Sequence, residues 1–429
     1  MSSVDAFIHT LRSLGDPREM ASCVNADDAF AFHRDTNTHV HLPPNFSAFQ
    51  SLGQALEMAT NEGVNALGAS NYYDYSVYGQ FATLAVQKGI FPLFGIEIIA
   101  LMDDLVESRT LINDPGNFGK IYICGKGITN FSPMSENSSR LLQTIRVNDS
   151  LRMNEMTRKL STIFVNAGID IPLTPDIIKE RIATRTGVCP NTVYLQERHL
   201  AQAFQEAFYE STPVADRSEK LRAIFGASPK NAMDPVLVQN DIRTHLMKAG
   251  RPAFEPDTFV DFEHAYNLIL ALGGVPCYPT LADGAKPICA YEEPVEELIA
   301  KLRRLNVHTA EFIPNRNTPE VLSRYVHAMR DTGFVVTAGT EHNTQELLPI
   351  KPACLGGTPI PEDVQAIFRE GACVVVAHQY LGLMGLTGFV ESDGALNSHY
   401  GSDNERISFF RTLGEWILMK YQDATSQAN

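Results

Sequence analysis

The sequence predicts an α/β protein on three observations. From Thr38 to about Gly127, short apolar runs alternate with longer amphipathic segments. The same rhythm returns at about Phe262, and the stretch between is helical in period with no strand signal. Strands of about five residues that alternate with helices of about ten or more imply βα units and a parallel sheet.

Residues 1–34 read as one or two helices that lead into the first strand. In the next segment, 35–134, HVHL predicts a strand, SLGQALEMATNEGV a helix, NALGAS a strand, FATLAVQKG a helix and FPLFGIEIIAL a strand. Gly63 and Gly89 follow the two helices as stops. A helical insertion is expected over 135–261, carried by SRLLQTIRVNDSLRMNEMTRKLSTIFVNAG, TPDIIKERIATRTG, QERHLAQAFQEAFYE and DPVLVQNDIRTHLMKAG. The βα rhythm resumes over 262–345 with GGVPCYPT, VHTAEFIPN, a helix through TPEVLSRYVHAMRDTG, and FVVTAGTEHNT. In the extension, 346–429, ACVVVAHQY reads as a last strand and about Asn404 to Asp423 as a long helix.

Composition excludes several classes of function. A net charge of −15 repels polyanions at long range, so extended nucleic acid is a poor partner, whereas a small phosphorylated substrate can still meet a local basic pocket. The seven cysteines (23, 124, 189, 277, 289, 354 and 373) contain no CxxC pair, which argues against a structural zinc knuckle and a disulfide framework. They read as buried thiols of a reducing, cytoplasmic compartment. The N-terminus lacks the apolar core of a secretory signal, and no apolar run approaches the ~20 residues that span a bilayer.

His39 and His41 are the sharpest local feature. At i and i+2 on a strand they face the same side, and neutral imidazole is a good ligand for zinc, manganese or iron. Two packed, hydrogen-bonded histidines satisfy the same pattern, so the motif alone leaves both readings open. Glu97 ends the strand in GIEI, where a carboxylate at a barrel mouth can bridge cations or simply face water. Glu341 and His342 occupy a similar strand end, with Gly339 expected to let the backbone turn sharply there. His199, near the start of a helix in the insertion, reads alternatively as a surface or capping residue. Arg316 and Lys286 are the basic residues placed to clamp an anionic group, with exposed loop positions the plainer reading.

Read in order, DTNTHVHLPPNFS, NALGASNYYD, GIFPLFGIEI, KIYICGKG, ERHLAQAF, GGVPCYP, AEFIPN and AGTEHN resemble the motifs of the PHP (polymerase and histidinol phosphatase) family over roughly Asn37 to Thr344. The resemblance implies a distorted (β/α)7 barrel that binds divalent transition metals at its mouth and hydrolyses phosphoesters. It implies a first metal site of His39, His41, Glu97 and Glu341, the last replacing the family's Asp. A second site would share Glu97 and add His199, but Tyr122 stands where its other His belongs. A third is missing ligands at Asn71-Tyr72 and Asn343, and Cys277-Tyr278-Pro279 replaces the family's Ala-His-Pro. One zinc, manganese or iron ion is therefore expected.

Tyr72, Tyr122 and Tyr278 then either line a pocket and hydrogen-bond the substrate, or merely fill the space. His199 or His342 is the candidate proton shuttle. The function expected is a PHP-type hydrolase of a small ester. The alternatives are a non-catalytic barrel that binds a small molecule or protein, and a one-metal enzyme for a lactone, amide or carbohydrate.

Overall fold

The computed structural model describes residues 3–19 and 35–426, so Cys23, His33 and the run from 20 to 34 lie outside the described residues. The strands are β1 (Asp35–Val40), β2 (Val64–Asn71), β3 (Phe91–Leu101), β4 (Lys120–Lys126), β5 (Val260–Asp261), β6 (Val275–Thr280), β7 (Thr309–Phe312) and β8 (Val335–Ala338). Seven of them follow one another in the order β1-β2-β3-β4-β6-β7-β8, while the two-residue β5 pairs with β3 beside that path.

The two ends of this path meet at a seam. A parallel bridge joins Val40 to Glu341, Thr340 N and Glu341 N donate to His39 O (3.0 and 2.9 Å), and His41 N donates to Glu341 O (2.7 Å). The sheet is thus a nearly closed, barrel-like α/β structure, and the residues that close it flank the HxH motif.

The expectation of a parallel sheet holds except at β4, which runs antiparallel to both β3 and β6. The chain leaves β3 and re-enters β4 at the same end of the sheet. Met102 N donates to Gly119 O (2.9 Å), which continues the ladder and leaves only the short helix Asp103–Glu107 in the connection. Such a return makes a hairpin rather than a crossover.

Helices Leu52–Asn61 and Tyr78–Gln87 alternate with the strands, and Gly63 and Gly89 follow them with φ of +74° and +67°. Ser51 caps the first of these by accepting from Gln54 N. Between β4 and β5 the described chain is helical: Glu136–Asn166, Pro175–Thr186, Glu197–Ser211, Arg217–Phe225 and Pro235–Ile242 are its α-helices. Their apolar faces form a core of their own around Phe164, Ile178, Leu200, Phe204 and Leu221, separate from the barrel core.

The run ACVVVAHQY is not a strand. It lies in the helix Glu362–Leu383, which is buried on every side from Gly371 to Leu381. A continuous apolar run fits a buried helix as well as a buried strand, and here length decides for the helix. Gly371 lets that helix press on β8, since a Cβ there would meet Val336 O at 2.1 Å. The last helix, Asp403–Ser426, packs beside it. Among the described residues no helix is long and apolar enough to cross a membrane.

Candidate metal centre

β1 carries His39, and His41 follows its last residue, held by the seam hydrogen bond to Glu341 O. β3 carries Glu97 across the barrel mouth. The two Nε2 atoms lie 3.3 Å apart, and Glu97 Oε2 lies 3.1 Å from His41 Nε2 and 4.0 Å from His39 Nε2. All three residues are buried. Close packing makes the arrangement possible, because a Cβ on Gly339 would fall 2.4 Å from His39 Cβ. The glycine therefore makes room for the histidine rather than turning the chain. The left-handed residues are Glu341 and His342, with φ of 56° and 54°, where a non-glycine backbone is strained by roughly 1–2 kcal/mol each.

Beneath the cluster sits a network that the sequence reading missed. Glu311 on β7 is wholly buried and bonds His39 Nδ1 at 2.7 Å, while Lys126 on β4 pairs with its other oxygen and with Thr38 O (3.2 Å). Burial alone would raise the Glu311 pKa, but Lys126 and His39 outweigh it and bring it down to about 2. An ionised Glu311 accepts from Nδ1–H and so fixes His39 in the tautomer whose Nε2 lone pair faces the cluster. The available signal was a Glu inside the short strand TAEF and a Lys that closes the apolar run IYICG of β4. Such charges have to find one another.

The donor set fits a divalent ion. Glu97 Oε2 is buried without a hydrogen-bond partner, and together with the Nε2 atoms of His39 and His41 it makes a set of ordinary ligands for zinc, manganese or iron. The second grouping of metal-type donors, His39, Cys124 and Glu311, fits poorly. Lys126 occupies Glu311, and burial pushes the Cys124 thiol well up, which keeps it protonated.

The remaining predicted residues fall in different places. Glu341 does not join the cluster: Arg316 binds both of its carboxylate oxygens, and Asn343 Nδ2 donates to one of them at 2.6 Å. His199 is spent on the start of helix Glu197–Ser211, where its Nδ1 accepts from Gln196 N and the ring also bonds the Pro44 backbone. Burial lowers its pKa to about 3, so it stays neutral. His342 has both nitrogens engaged, with Thr340 Oγ1 (2.8 Å) and Leu348 O (2.9 Å), and its ring stacks on Phe49. Neither histidine has a nitrogen left to carry a proton to the cluster.

Tyr72 and Tyr122 line the cavity above the cluster, whereas Tyr278 is buried behind β6 and donates to Glu292 Oε1 at 2.9 Å. Tyr72 stacks on His41 (4.8 Å between centroids, 13° between planes). Burial and the neighbouring Glu97 carboxylate raise its pKa well above the ordinary tyrosine value, and burial pushes Tyr122 to about 12. Both are neutral hydroxyls at pH 7. Arg316 lines the cavity; Lys286 is exposed and does not.

The cavity encloses about 540 Å³, a size ordinary for small-molecule sites. The insertion supplies one wall, with Arg152, Arg198, Arg243 and Lys248, and Lys120 comes from β4. Arg152 is paired with Glu197 and Asp257, but Arg198 has no carboxylate partner among the described residues. Burial, helped by the neighbouring Arg243, lowers the Arg198 pKa to about 10, and Arg243 Nε is buried without a partner. The same lining carries Asp114, Asp149, Glu197 and Asp257, with Lys120 beside Asp114 and both Arg243 and Lys248 beside Glu197, so its charge is mixed and Arg198 stands out as the cation without a carboxylate partner among the described residues.

No family model and no curated protein matches the sequence. The solved structures that the chain is similar to include two. One, from Bifidobacterium adolescentis ATCC 15703, is provisionally named a metal-dependent phosphoesterase. It superposes with a TM-score of 0.51 at 16% identity, covering 77% of this chain and 94% of that one. The other is an amidohydrolase from Chromobacterium violaceum with bound sulfate and no metal, at a TM-score of 0.47 and 14% identity, covering 78% of this chain and 96% of that one. At 16% identity the first likeness extends to the fold and no further.

Proposed function

We propose that the chain is a PHP-type metal-dependent hydrolase of a small anionic ester, a phosphoester by family likeness, that works with one divalent transition metal at the barrel mouth. The observation that carries this reading is the convergence of His39 Nε2, His41 Nε2 and Glu97 Oε2 on one point below the cavity. These three residues would hold the ion, which when bound supplies Lewis-acid polarisation of an ester oxygen and activation of water.

The chain's own groups do the rest. Glu311 orients His39, and the seam hydrogen bonds fix His39 and His41 against β8. Tyr122 presents a neutral hydroxyl that can donate to a substrate oxygen, whereas the Tyr72 hydroxyl is engaged with Glu97. Arg198, which has no carboxylate partner among the described residues, supplies positive charge on the far wall for an anionic substrate, with Arg243 beside Glu197 next to it. No histidine outside the cluster serves as proton shuttle in this scheme, because His199 and His342 are committed to hydrogen bonds within the fold.

The test is hydrolysis of phosphate monoesters, diesters, lactones and amides by wild type and His39→Ala. Turnover of an anionic ester that disappears in His39→Ala supports the proposal. A second reading, a non-catalytic barrel that binds a small anion, is favoured by the commitment of His199 and His342. It prevails if metal binds and no substrate in the panel is turned over in a His39-dependent way.

A further inference from the structure

We infer that Arg316 withholds Glu341 from the metal, so that the ion rests on three protein ligands while the guanidinium stands beside it as a second, fixed cation facing the substrate. The inference rests on the metal site proposed above and concerns how that site is completed.

Glu341 is the fourth residue that sequence order assigns to the ion, and it sits on the same seam as His39 and His41. Its backbone is held in the left-handed region, and the next residue shares that conformation. Such strain persists only where the surroundings over-determine it. The side chain that this backbone presents is not left open. Arg316 Nη1 binds Oε1 at 2.8 Å, Arg316 Nη2 binds Oε2, and Asn343 Nδ2 binds Oε2 as well. A two-pronged guanidinium–carboxylate pair is among the stronger and more directional contacts a carboxylate can make.

The charges agree with this arrangement. Glu97 and Glu341 bring two negative charges to the mouth, and Arg316 feels both of them. One guanidinium neutralises Glu341, which leaves Glu97 for the ion. Arg316 is half-buried on the cavity wall and carries five N–H donors, of which Glu341 takes two. The donors that Glu341 leaves over are available to an anionic oxygen that enters beside the ion. A lysine could not do both, since its ammonium is a point charge and not a planar fork.

The experiment is calorimetric titration of the full chain with Mn²⁺, which needs no knowledge of the substrate. Glu341→Gln should change the affinity by less than about threefold, whereas loss of a true ligand or of its supporting partner typically weakens binding about 10–100-fold. Arg316→Met should bind Mn²⁺ at least about tenfold more tightly, as the freed Glu341 joins His39, His41 and Glu97. Adding Glu341→Gln to Arg316→Met should cancel the gain.

A loss of tenfold or more in Glu341→Gln alone overturns the inference, as does an unchanged affinity in Arg316→Met that melts like wild type. If Arg316→Met does not fold, the Glu341→Gln result decides by itself. Wild type that takes up no Mn²⁺, Zn²⁺ or Fe²⁺ refutes the metal site and this inference together. A wild type that binds one ion, with Glu341→Gln weakened tenfold, removes the inference alone.

Discussion

Glu311 and Glu292 are both fully buried, one beneath His39 on the β7 wall and the other behind β6 beside Tyr278. Burial raises the pKa of each, yet Glu311 ends at about 2 and Glu292 at about 7. The difference lies in the partners. Glu311 has Lys126 and His39, whereas Glu292 has only neutral donors: Tyr278 Oη, Leu281 N (2.9 Å) and Ala282 N (2.6 Å). A cation keeps one carboxylate charged and able to orient a ligand, while the other titrates near neutrality and ties a loop to a strand. The same contrast separates His39, whose Nε2 is left facing the cluster, from His199 and His342, whose nitrogens are used up by the fold.

The largest effect that would break this comparison is expected at Glu311. Glu311→Ala leaves Lys126 buried without its carboxylate, and removing one partner of a buried pair destabilises by about 3–5 kcal/mol. Urea unfolding should show that loss, and a change below about 1 kcal/mol would mean that the pair is not load-sharing in the folded state.

Glu292 should reveal itself through pH. Its folded pKa, about 7, lies above its ordinary value of 4.5, so the folded state holds the proton more tightly. The stability it contributes is complete below about pH 4.5 and is lost as pH rises through about 7. Chemical unfolding of wild type and Glu292→Gln at pH 5.5 and pH 8 isolates this term: wild type should lose more stability than the variant on going to the higher pH. Equal losses would show that Glu292 titrates as an ordinary carboxylate.

A smaller effect is expected at Tyr278. Tyr278→Phe removes one hydrogen bond and should cost about 1 kcal/mol, rising towards ~3 kcal/mol where Glu292 is ionised, with metal uptake unchanged. An altered metal stoichiometry would place Tyr278 at the site after all. The smallest effect belongs to Lys286, exposed and off the cavity, where Lys286→Ala should stay within about 0.5 kcal/mol of wild type in thermal or urea unfolding.

What the sequence made legible follows from these contacts. His39 and His41 could be seen because strand period places side chains with little help from distant residues, whereas Glu97 was expected at a strand end and lies within β3, which runs on to Leu101. The βα alternation, the helical character of 136–247 and the end of the chain as a long helix were legible for the same local reason. The direction of β4 was not, since it depends on where the connection turns back. Nor was the helix Glu362–Leu383, whose burial on all faces erases the amphipathic period. Lys126 and Glu311 are 185 residues apart in sequence, and only the closed barrel brings them together. Glu341 stood in the expected place, but its capture by Arg316 is a side-chain event that motif order does not record.

The central claim is that His39, His41 and Glu97 form a metal centre, and ion stoichiometry tests it most directly. Metal-free protein titrated with Zn²⁺, Mn²⁺ and Fe²⁺ should bind one ion per chain. His41→Ala should lose that binding, whereas Tyr122→Phe should keep it. Absence of uptake in wild type, or undiminished uptake in His41→Ala, would contradict the claim.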